Sequence, residues 1–245
     1  MSGERSRLDE RLVALGLAES RTRAQALIMA GQVLVDDVPI DKAGTRVRDD
    51  AVVRLRGVAS RYVSRGGDKL AGALADLGVD PAGKICLDVG ASTGGFTDCL
   101  LQHGVVRVYA VDVGYGQLDA KLRSDPRVVV IERTNARNLE ASMVPDAIDL
   151  VVADVAFISL RLVVPALAAV ASKAEWLLLV KPQFEVGREQ VGKGGVVRDD
   201  ALRAAAVESV RGAAEALGWQ EIARADSRVA GPKGNREIFL YLRKL

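Results

Sequence analysis

Histidine is almost missing from this chain, and cysteine is scarce: His103 stands alone, and Cys86 and Cys99 are the two thiols among 245 residues. A structural zinc site takes about four Cys or His ligands, and a catalytic three-histidine site takes about three. Neither can be assembled here, so no metal is expected. Two cysteines in a chain of this size do not make a disulfide framework, and a reducing cytoplasm is the expected compartment. Long apolar runs are missing too. Leu162 to Ser172 is uncharged, but it lies between Arg161 and Lys173 and is interrupted by Pro165, well short of the ~20 residues that cross a bilayer. The N-terminus, Met-Ser-Gly-Glu-Arg-Ser-Arg, lacks the apolar segment of a signal peptide. A membrane enzyme or helical pore is therefore not expected. A strong charge bias is also lacking. The net charge is +2, which does not by itself announce a nucleic-acid partner.

What is present suits a folded protein. Apolar residues make up 49% of the chain and charged residues 27%, enough for a full core. The length fits a domain of roughly 180 residues joined to a small module. The texture changes accordingly along the chain. In the first segment, Leu8, Leu12, Val13 and Leu15 recur at helical spacing over Arg5–Leu15. Ser20 can cap a second helix over Arg21–Ala30, which Gly31 stops. Val33–Val35 and Val38–Ile40 then read as a short hairpin across Asp36-Asp37, and Val52–Leu55 as a third strand. The run Arg21 to Asp36 resembles the S4 RNA-binding module. That resemblance implies that the second helix and hairpin lie on RNA, with Arg21 and Arg23, together with Arg5, Arg7 and Lys42, on phosphate and ribose. Residues 1–69 hold 13 basic and 10 acidic groups, a slight positive excess that the remainder lacks.

After a connector near residues 57–64, apolar strands alternate with amphipathic helices, the mark of a doubly wound α/β sheet. Strands are expected at residues 84–89, 107–112, 128–132, 148–154, 175–181, 219–227 and 237–242. Helices are expected at 67–77, 96–103, 118–122, 158–171 and 200–216. The expected domains are 1–58, a linker at 59–64 and a catalytic domain at 65–245.

The first of these strands ends in Asp88-Val89-Gly90-Ala91-Ser92-Thr93-Gly94-Gly95-Phe96. A glycine-rich turn between strand and helix aims backbone amides at the carboxyl end of the sheet, where open α/β folds bind ligands. The glycine spacing is not that of a dinucleotide fingerprint, and no Walker Lys-Ser/Thr follows. The stretch resembles motif I of S-adenosylmethionine-dependent methyltransferases. That implies a cofactor site formed by Asp88, the turn from Gly90 through Phe96, Asp112 with Val113 at the next strand end, and Asn135-Ala136 near the adenine. A carboxylate at Asp112 suits ribose hydroxyls.

The acceptor is narrowed by elimination. Asp154 is followed by Val155-Ala156, without the two prolines usual in amine methylation. Cys86 and Cys99 fall inside a strand and a helix, where neither suits the nucleophile of cytosine C5 methylation. Four other residues form a set: Lys69, Asp154 after the fourth strand, Lys181 after the fifth, and Glu237 at the last. They resemble the Lys-Asp-Lys-Glu tetrad of FtsJ/RrmJ-type ribose 2′-O-methyltransferases. A ribose hydroxyl is a weak acid that must be aimed in line with the methyl and relieved of its proton. A lysine can do this where burial and a second ammonium depress its pKa. On this reading Lys181 is nearest the hydroxyl, Asp154 positions it, Lys69 contacts the ribose and Glu237 completes the network.

An S4-like module ahead of such a domain resembles the TlyA (haemolysin A) family. The resemblance rests on Ser64 to Leu70, Asp88 to Asp98, Asp154 to Leu160 and Lys181 to Glu185, and it covers almost the whole chain. It implies 2′-O-methylation of cytidine in ribosomal RNA; a monomer is expected. The end at Leu245 is like that of the shorter type, which acts on large-subunit (23S) rRNA; the longer type also acts on small-subunit (16S) rRNA. Arg65, Arg133 and Arg137 at the cofactor rim, and Arg188 and Lys193 in a Gly-rich loop over the substrate, are further expected RNA contacts. Two other classes stay open at this point: a membrane-active haemolysin, and an RNA-binding protein without catalysis.

Overall fold

The structure, a computed structural model, describes residues 5–36, 38–48, 51–55, 61–192, 194–231 and 233–244. The chain divides into two compact units, residues 1–59 and 60–245, with residues 232–234 assigned to the first.

The first unit opens with strand β1 (Arg5–Arg7), helix α1 (Leu8–Ala14) and helix α2 (Arg21–Met29). It continues with β2 (Val33–Val35), β3 (Val38–Ile40), β4 (Arg46–Arg48) and β5 (Val53–Leu55). Ser20 caps α2, its side chain accepting the Arg23 N–H. The expected first helix starts later than its apolar spacing suggested. Arg5–Arg7 is a strand paired antiparallel with Arg46–Arg48, a segment whose charged sequence carries no strand signal. The β3–β2–β5 sheet and the helices close over Leu8, Leu12, Ala24, Ile28 and Val33, all fully buried.

The second unit contains α3 (Arg65–Leu77), β6 (Ile85–Val89), α4 (Gly95–Gln102), β7 (Arg107–Val111), α5 (Ala120–Arg123), β8 (Val128–Ile131) and β9 (Leu150–Ala153). It is completed by α6 (Val164–Val170), β10 (Glu175–Val180), α7 (Pro182–Glu185), α8 (Asp200–Glu215), β11 (Trp219–Asp226) and β12 (Ile238–Lys244). The seven expected strands form one sheet in the order β11-β12-β10-β9-β6-β7-β8. From β10 to β8 all neighbours are parallel, whereas β12 runs antiparallel to β10 and β11. The central strands read as continuous apolar runs because both faces are covered. Along β9, Leu150 and Val152 join the core under α3 and α4, and Val151 and Ala153 join the core on the other face. The helix expected over 158–171 is broken. A 3-10 turn, Leu160–Leu162, precedes α6, and Pro165 sits in the first turn of α6, where its missing N–H is tolerated. Helix α7 begins with Pro182 in the same way and extends beyond the strand expected there.

The chain leaves the centre of the sheet in opposite directions after β6 and at β9. The carboxyl ends of β6 and β9 therefore border a switch-point crevice, the place where open α/β sheets bind ligands.

Candidate functional site

A cavity of about 1150 Å³ opens at that crevice, lined among others by Gly90, Ser92, Asp112, Asn135, Asp154 and Phe157. Its floor is built by the glycine-rich turn. Gly90 has φ +87°, and a Cβ there would meet the Asp154 carbonyl at 2.5 Å, so only glycine fits. Asp112 Oδ2 braces the turn, accepting the Ser92 N–H at 2.8 Å, while its Oδ1 accepts the Gly114 N–H of its own loop at 2.6 Å. Ser92 itself is left-handed, with φ +50°. Asn135 Oδ1 accepts the Arg137 N–H at 3.1 Å, which fixes the side chain at the cavity wall.

The expected cofactor residues thus separate into two groups. Gly90, Ser92, Asp112, Val113, Asn135 and Ala136 face the cavity. Asp88, Ala91, Thr93, Gly94, Gly95 and Phe96 are not among its lining residues. Asp88 is fully buried; its Oδ2 accepts the Thr97 hydroxyl at 2.6 Å, and its Oδ1 is buried without a partner. Burial pushes the Asp88 carboxyl up to about 7, against the opposing Thr97 hydrogen bond. A glycine cradle, a carboxylate at the second strand end and an unsatisfied buried oxygen beneath the turn together fit a polar nucleoside-containing ligand. Phe96 packs inward, stacked on Phe239 with centroids 6.1 Å apart.

The four residues read as a tetrad form two ion pairs. Lys69 Nζ lies 2.6 Å from Glu237 Oε2, with both side chains buried. Lys69 shares the covered face of α3 with Leu70 and Ala73, which is how a lysine comes to be buried. Lys181 Nζ lies 2.5 Å from Asp154 Oδ1. Asp154 directly follows β9, Lys181 directly follows β10, and these strands are hydrogen-bonded neighbours. Glu237 immediately precedes β12, the other neighbour of β10. Each ammonium therefore has one carboxylate, as a partly or fully buried cation requires.

His103 takes no part in this cluster, because its Nδ1 lies 2.7 Å from the Cys99 carbonyl at the end of α4. Cys86 and Cys99 are buried and unpaired, and burial raises both thiols to about 12; they are structural. Among the described residues no group of three or more His, Cys, Asp and Glu could hold a metal. No described helix is long and apolar enough to cross a membrane.

Three residues at the site had no role from sequence. Phe157 is 92% exposed, has φ +64°, and pairs with Phe184 at 5.3 Å between centroids. A bulky residue held in the left-handed region stores about 1–3 kcal/mol of strain, typical of ligand-contacting loops. Asn235 is buried; it accepts the Val197 N–H at 2.9 Å and donates to the Gly195 carbonyl at 2.8 Å. The Gly-rich loop after α7 is thus anchored at Gly195, and its Val191, Gly192 and Gly195 wall the cavity. Glu185 is buried against Ser159 and Leu160. Phe157 is conspicuous in hindsight as a large apolar residue within the polar-edged Asp154–Ser159 turn; nothing in the sequence separates Asn235 from an ordinary surface amide.

The expected RNA contacts are distributed over both units. In the first, Arg5, Arg23 and Lys42 are exposed. Arg7 and Arg21 both bind the fully buried Asp9: Arg7 through Nε and Nη2 and Arg21 through Nε, all at 3.0 Å. Gln25 adds a further bond to Asp9 at 2.8 Å. The Arg7 guanidinium holds the Asp9 carboxyl well below the usual carboxylate range. In the second unit, Arg65 starts α3, Arg137 lines the cavity, and Arg133 stacks over the Tyr115 ring at 4.1 Å. Arg188 lies in a short 3-10 turn and its side chain is not described; Lys193 lies outside the described residues.

Comparison with known proteins gives the same division. The FtsJ-like methyltransferase family matches residues 62–244, and the S4 domain matches residues 6–53. The 16S/23S rRNA (cytidine-2′-O)-methyltransferase TlyA of Mycobacterium tuberculosis is 52% identical over 98% of this chain and 90% of its own length. Hemolysin A of Brachyspira hyodysenteriae is 44% identical over 96% of this chain and 98% of its own length. A solved structure from Streptococcus thermophilus, named a candidate hemolysin, is 40% identical and superposes with a TM-score of 0.77, covering 98% of this chain and 88% of that one.

Proposed function

This chain belongs to the FtsJ-like methyltransferase family, with an S4 domain ahead of the catalytic domain, and from that premise we propose that it methylates the ribose 2′-hydroxyl of a cytidine in ribosomal RNA, using S-adenosylmethionine. The observation that carries this reading is the pair of lysine–carboxylate contacts, Lys181–Asp154 and Lys69–Glu237, in which Asp154, Lys181 and Glu237 stand at neighbouring strand ends, Lys69 comes from α3, and Asp154 borders the glycine-cradled cavity. The substrate is suggested by the TlyA relative, itself a 16S/23S rRNA cytidine-2′-O-methyltransferase, and by the S4 domain.

S-adenosylmethionine supplies an electrophilic methyl group on a sulfonium. The residues of this chain do the rest. Asp112 faces the cavity where ribose hydroxyls can be held, Asn135 and Ala136 form the wall for the adenine, and the buried Asp88, bonded to Thr97, lies behind the turn. Lys181, held by Asp154, orients the acceptor hydroxyl and, acting as the neutral amine, takes its proton as the hydroxyl oxygen bonds to the methyl carbon and the carbon–sulfur bond of the donor breaks. Most of the rate comes from alignment rather than from proton transfer. Lys69 lies against the ribose and is kept in place by Glu237. The exposed ring of Phe157, supported by Phe184, gives an unstacked base an aromatic face to lie on. A ribosomal substrate places the reaction in the cytoplasm.

The test is Lys181→Ala assayed on separated large and small ribosomal subunits. Turnover is expected to fall by about 10²–10⁴-fold, the usual contribution of a positioned proton-transfer group, while calorimetric binding of S-adenosylmethionine persists. Near-wild-type turnover would remove Lys181 from the mechanism. The same assay shows which subunit carries the target.

A further inference from the structure

Besides Asp88, a second buried carboxylate at this end of the sheet lies outside both ion pairs. Glu185, the last residue of α7, has a side chain only 1% exposed. Its Oε2 accepts the Ser159 hydroxyl at 2.5 Å, and its Oε1 accepts the Leu160 N–H at 2.8 Å. Burial raises the Glu185 pKa, and the two donors oppose that shift. Ser159 Oγ also accepts the backbone and Nε N–H groups of Arg161, each at 3.2 Å. The Arg161 guanidinium lies 3.9 Å from Glu185.

The significance is in what these contacts join. Asp154 begins the loop that contains Ser159 and Leu160, and Lys181 begins the segment that ends in Glu185. The parallel ladder between β9 and β10 stops at the Ala153–Leu178 pair, so beyond it no strand pairing holds the two segments in register. Both nonetheless wall the same cavity, one through Val155 and Phe157, the other through Gln183 and Phe184. Beyond the strands, the Glu185 carboxylate and the Phe157–Phe184 contact span the gap.

We propose that Glu185 is a positioning residue: one carboxylate, bonded to Ser159 and Leu160, locks the loop after β9 onto α7 and so sets the distance and direction of the Asp154–Lys181 pair. The inference rests on the reading of that pair as the group that orients the acceptor hydroxyl. Glu185 touches neither substrate nor cofactor. Its effect is geometric, and a site loosened by about 1 Å loses on the order of 100-fold in rate.

The experiment compares Glu185→Ala, Glu185→Gln and Ser159→Ala in the full chain, with ribosomal subunits and S-adenosylmethionine both saturating. Glu185→Ala is expected to lower kcat by about 100-fold and to leave the calorimetric affinity for S-adenosylmethionine largely unchanged. Hydrogen exchange is expected to show lost protection at the Leu160 amide. Glu185→Gln keeps an acceptor for Leu160 and a polar partner for Ser159, and is expected to restore most of kcat. Ser159→Ala removes one bond and is expected to give a smaller kcat loss that does not add to that of Glu185→Ala. Wild-type kcat in Glu185→Ala, or a Gln variant as impaired as the Ala variant, would overturn the proposal. If Glu185→Ala fails to fold, Ser159→Ala decides the matter, with unchanged kcat overturning it. Lys181→Ala run in parallel separates the two ideas. An active Lys181→Ala enzyme removes the reading of the pair; an inactive one beside a fully active Glu185→Ala enzyme removes only the role of Glu185.

Discussion

Buried charge sets the behaviour of individual residues here. Glu237 and Lys69 lie within the protein, at 1% and 7% exposure, and each neutralises the other at 2.6 Å. Removing one partner strands the other. Glu237→Ala is expected to cost about 3–5 kcal/mol of stability in chemical denaturation, because an uncompensated ammonium stays buried. The double variant Lys69→Met with Glu237→Leu is expected to recover most of that stability and none of the activity. Recovery of activity in the double variant would show the pair to be structural. Asp88 makes a different prediction. Its folded-state pKa is raised from the ordinary 3.8 to about 7 by burial, so the folded protein binds this proton more tightly than the unfolded chain. The associated stability is fully present below pH 4 and is lost as pH rises toward and through 7. Without ligand, Asp88→Asn is therefore expected to gain in melting temperature over wild type on going from pH 5 to pH 8. A difference that does not change with pH would contradict the buried-carboxyl account.

Elements show how residues that sequence patterns place only roughly come to act together. In the first unit, Asp9 on α1 receives Arg7 from β1 and both Arg21 and Gln25 from α2. One buried carboxylate thus ties three elements and fixes the two arginines that the proposed function places on phosphate. Asp9→Ala is expected to destabilise this unit by about 1–3 kcal/mol and to weaken binding to ribosomal subunits without changing affinity for S-adenosylmethionine. Retained subunit affinity would show that Arg7 and Arg21 need no such fixing. Much of this was legible beforehand. The seven strands of the sheet stand out because apolar runs such as Val151–Ala153 and Trp176–Val180 are buried on both faces. The glycine turn, Asp112 and Lys181 are legible because their chemistry depends on strand-end placement, whereas Lys69, on α3, is legible only through the Ser64–Leu70 motif. Other features are not. Arg5–Arg7 forms a strand only through its pairing with Arg46–Arg48, a long-range contact between charged segments. The helix expected over 158–171 breaks because the Ser159 cap and Pro165 start two separate turns. Glu185 looks like any surface glutamate until α7 turns it under Ser159.

At the scale of the whole molecule, two kinds of surface are present in one nearly neutral chain. The net charge of +2 cannot draw the protein to RNA by bulk attraction. On the proposed function, recognition rests on placed arginines in the S4 domain and at the cavity rim, and on the shape and single-stranded features of folded RNA. The catalytic domain holds a cavity beside the glycine-rich turn, and on the proposed reading that cavity takes the methyl donor while Lys69, Asp154, Lys181 and Glu237 form the acceptor site. The central claim is that the methyl group reaches a ribose oxygen of cytidine. The direct measurement is nucleoside mass spectrometry of rRNA from ribosomal subunits incubated with the protein and isotope-labelled S-adenosylmethionine. The account predicts labelled 2′-O-methylcytidine at a defined position with the wild-type protein and its loss with Lys181→Ala. Label on a base, label on the ribose of another nucleoside, or 2′-O-methylcytidine formed equally well by Lys181→Ala would contradict it.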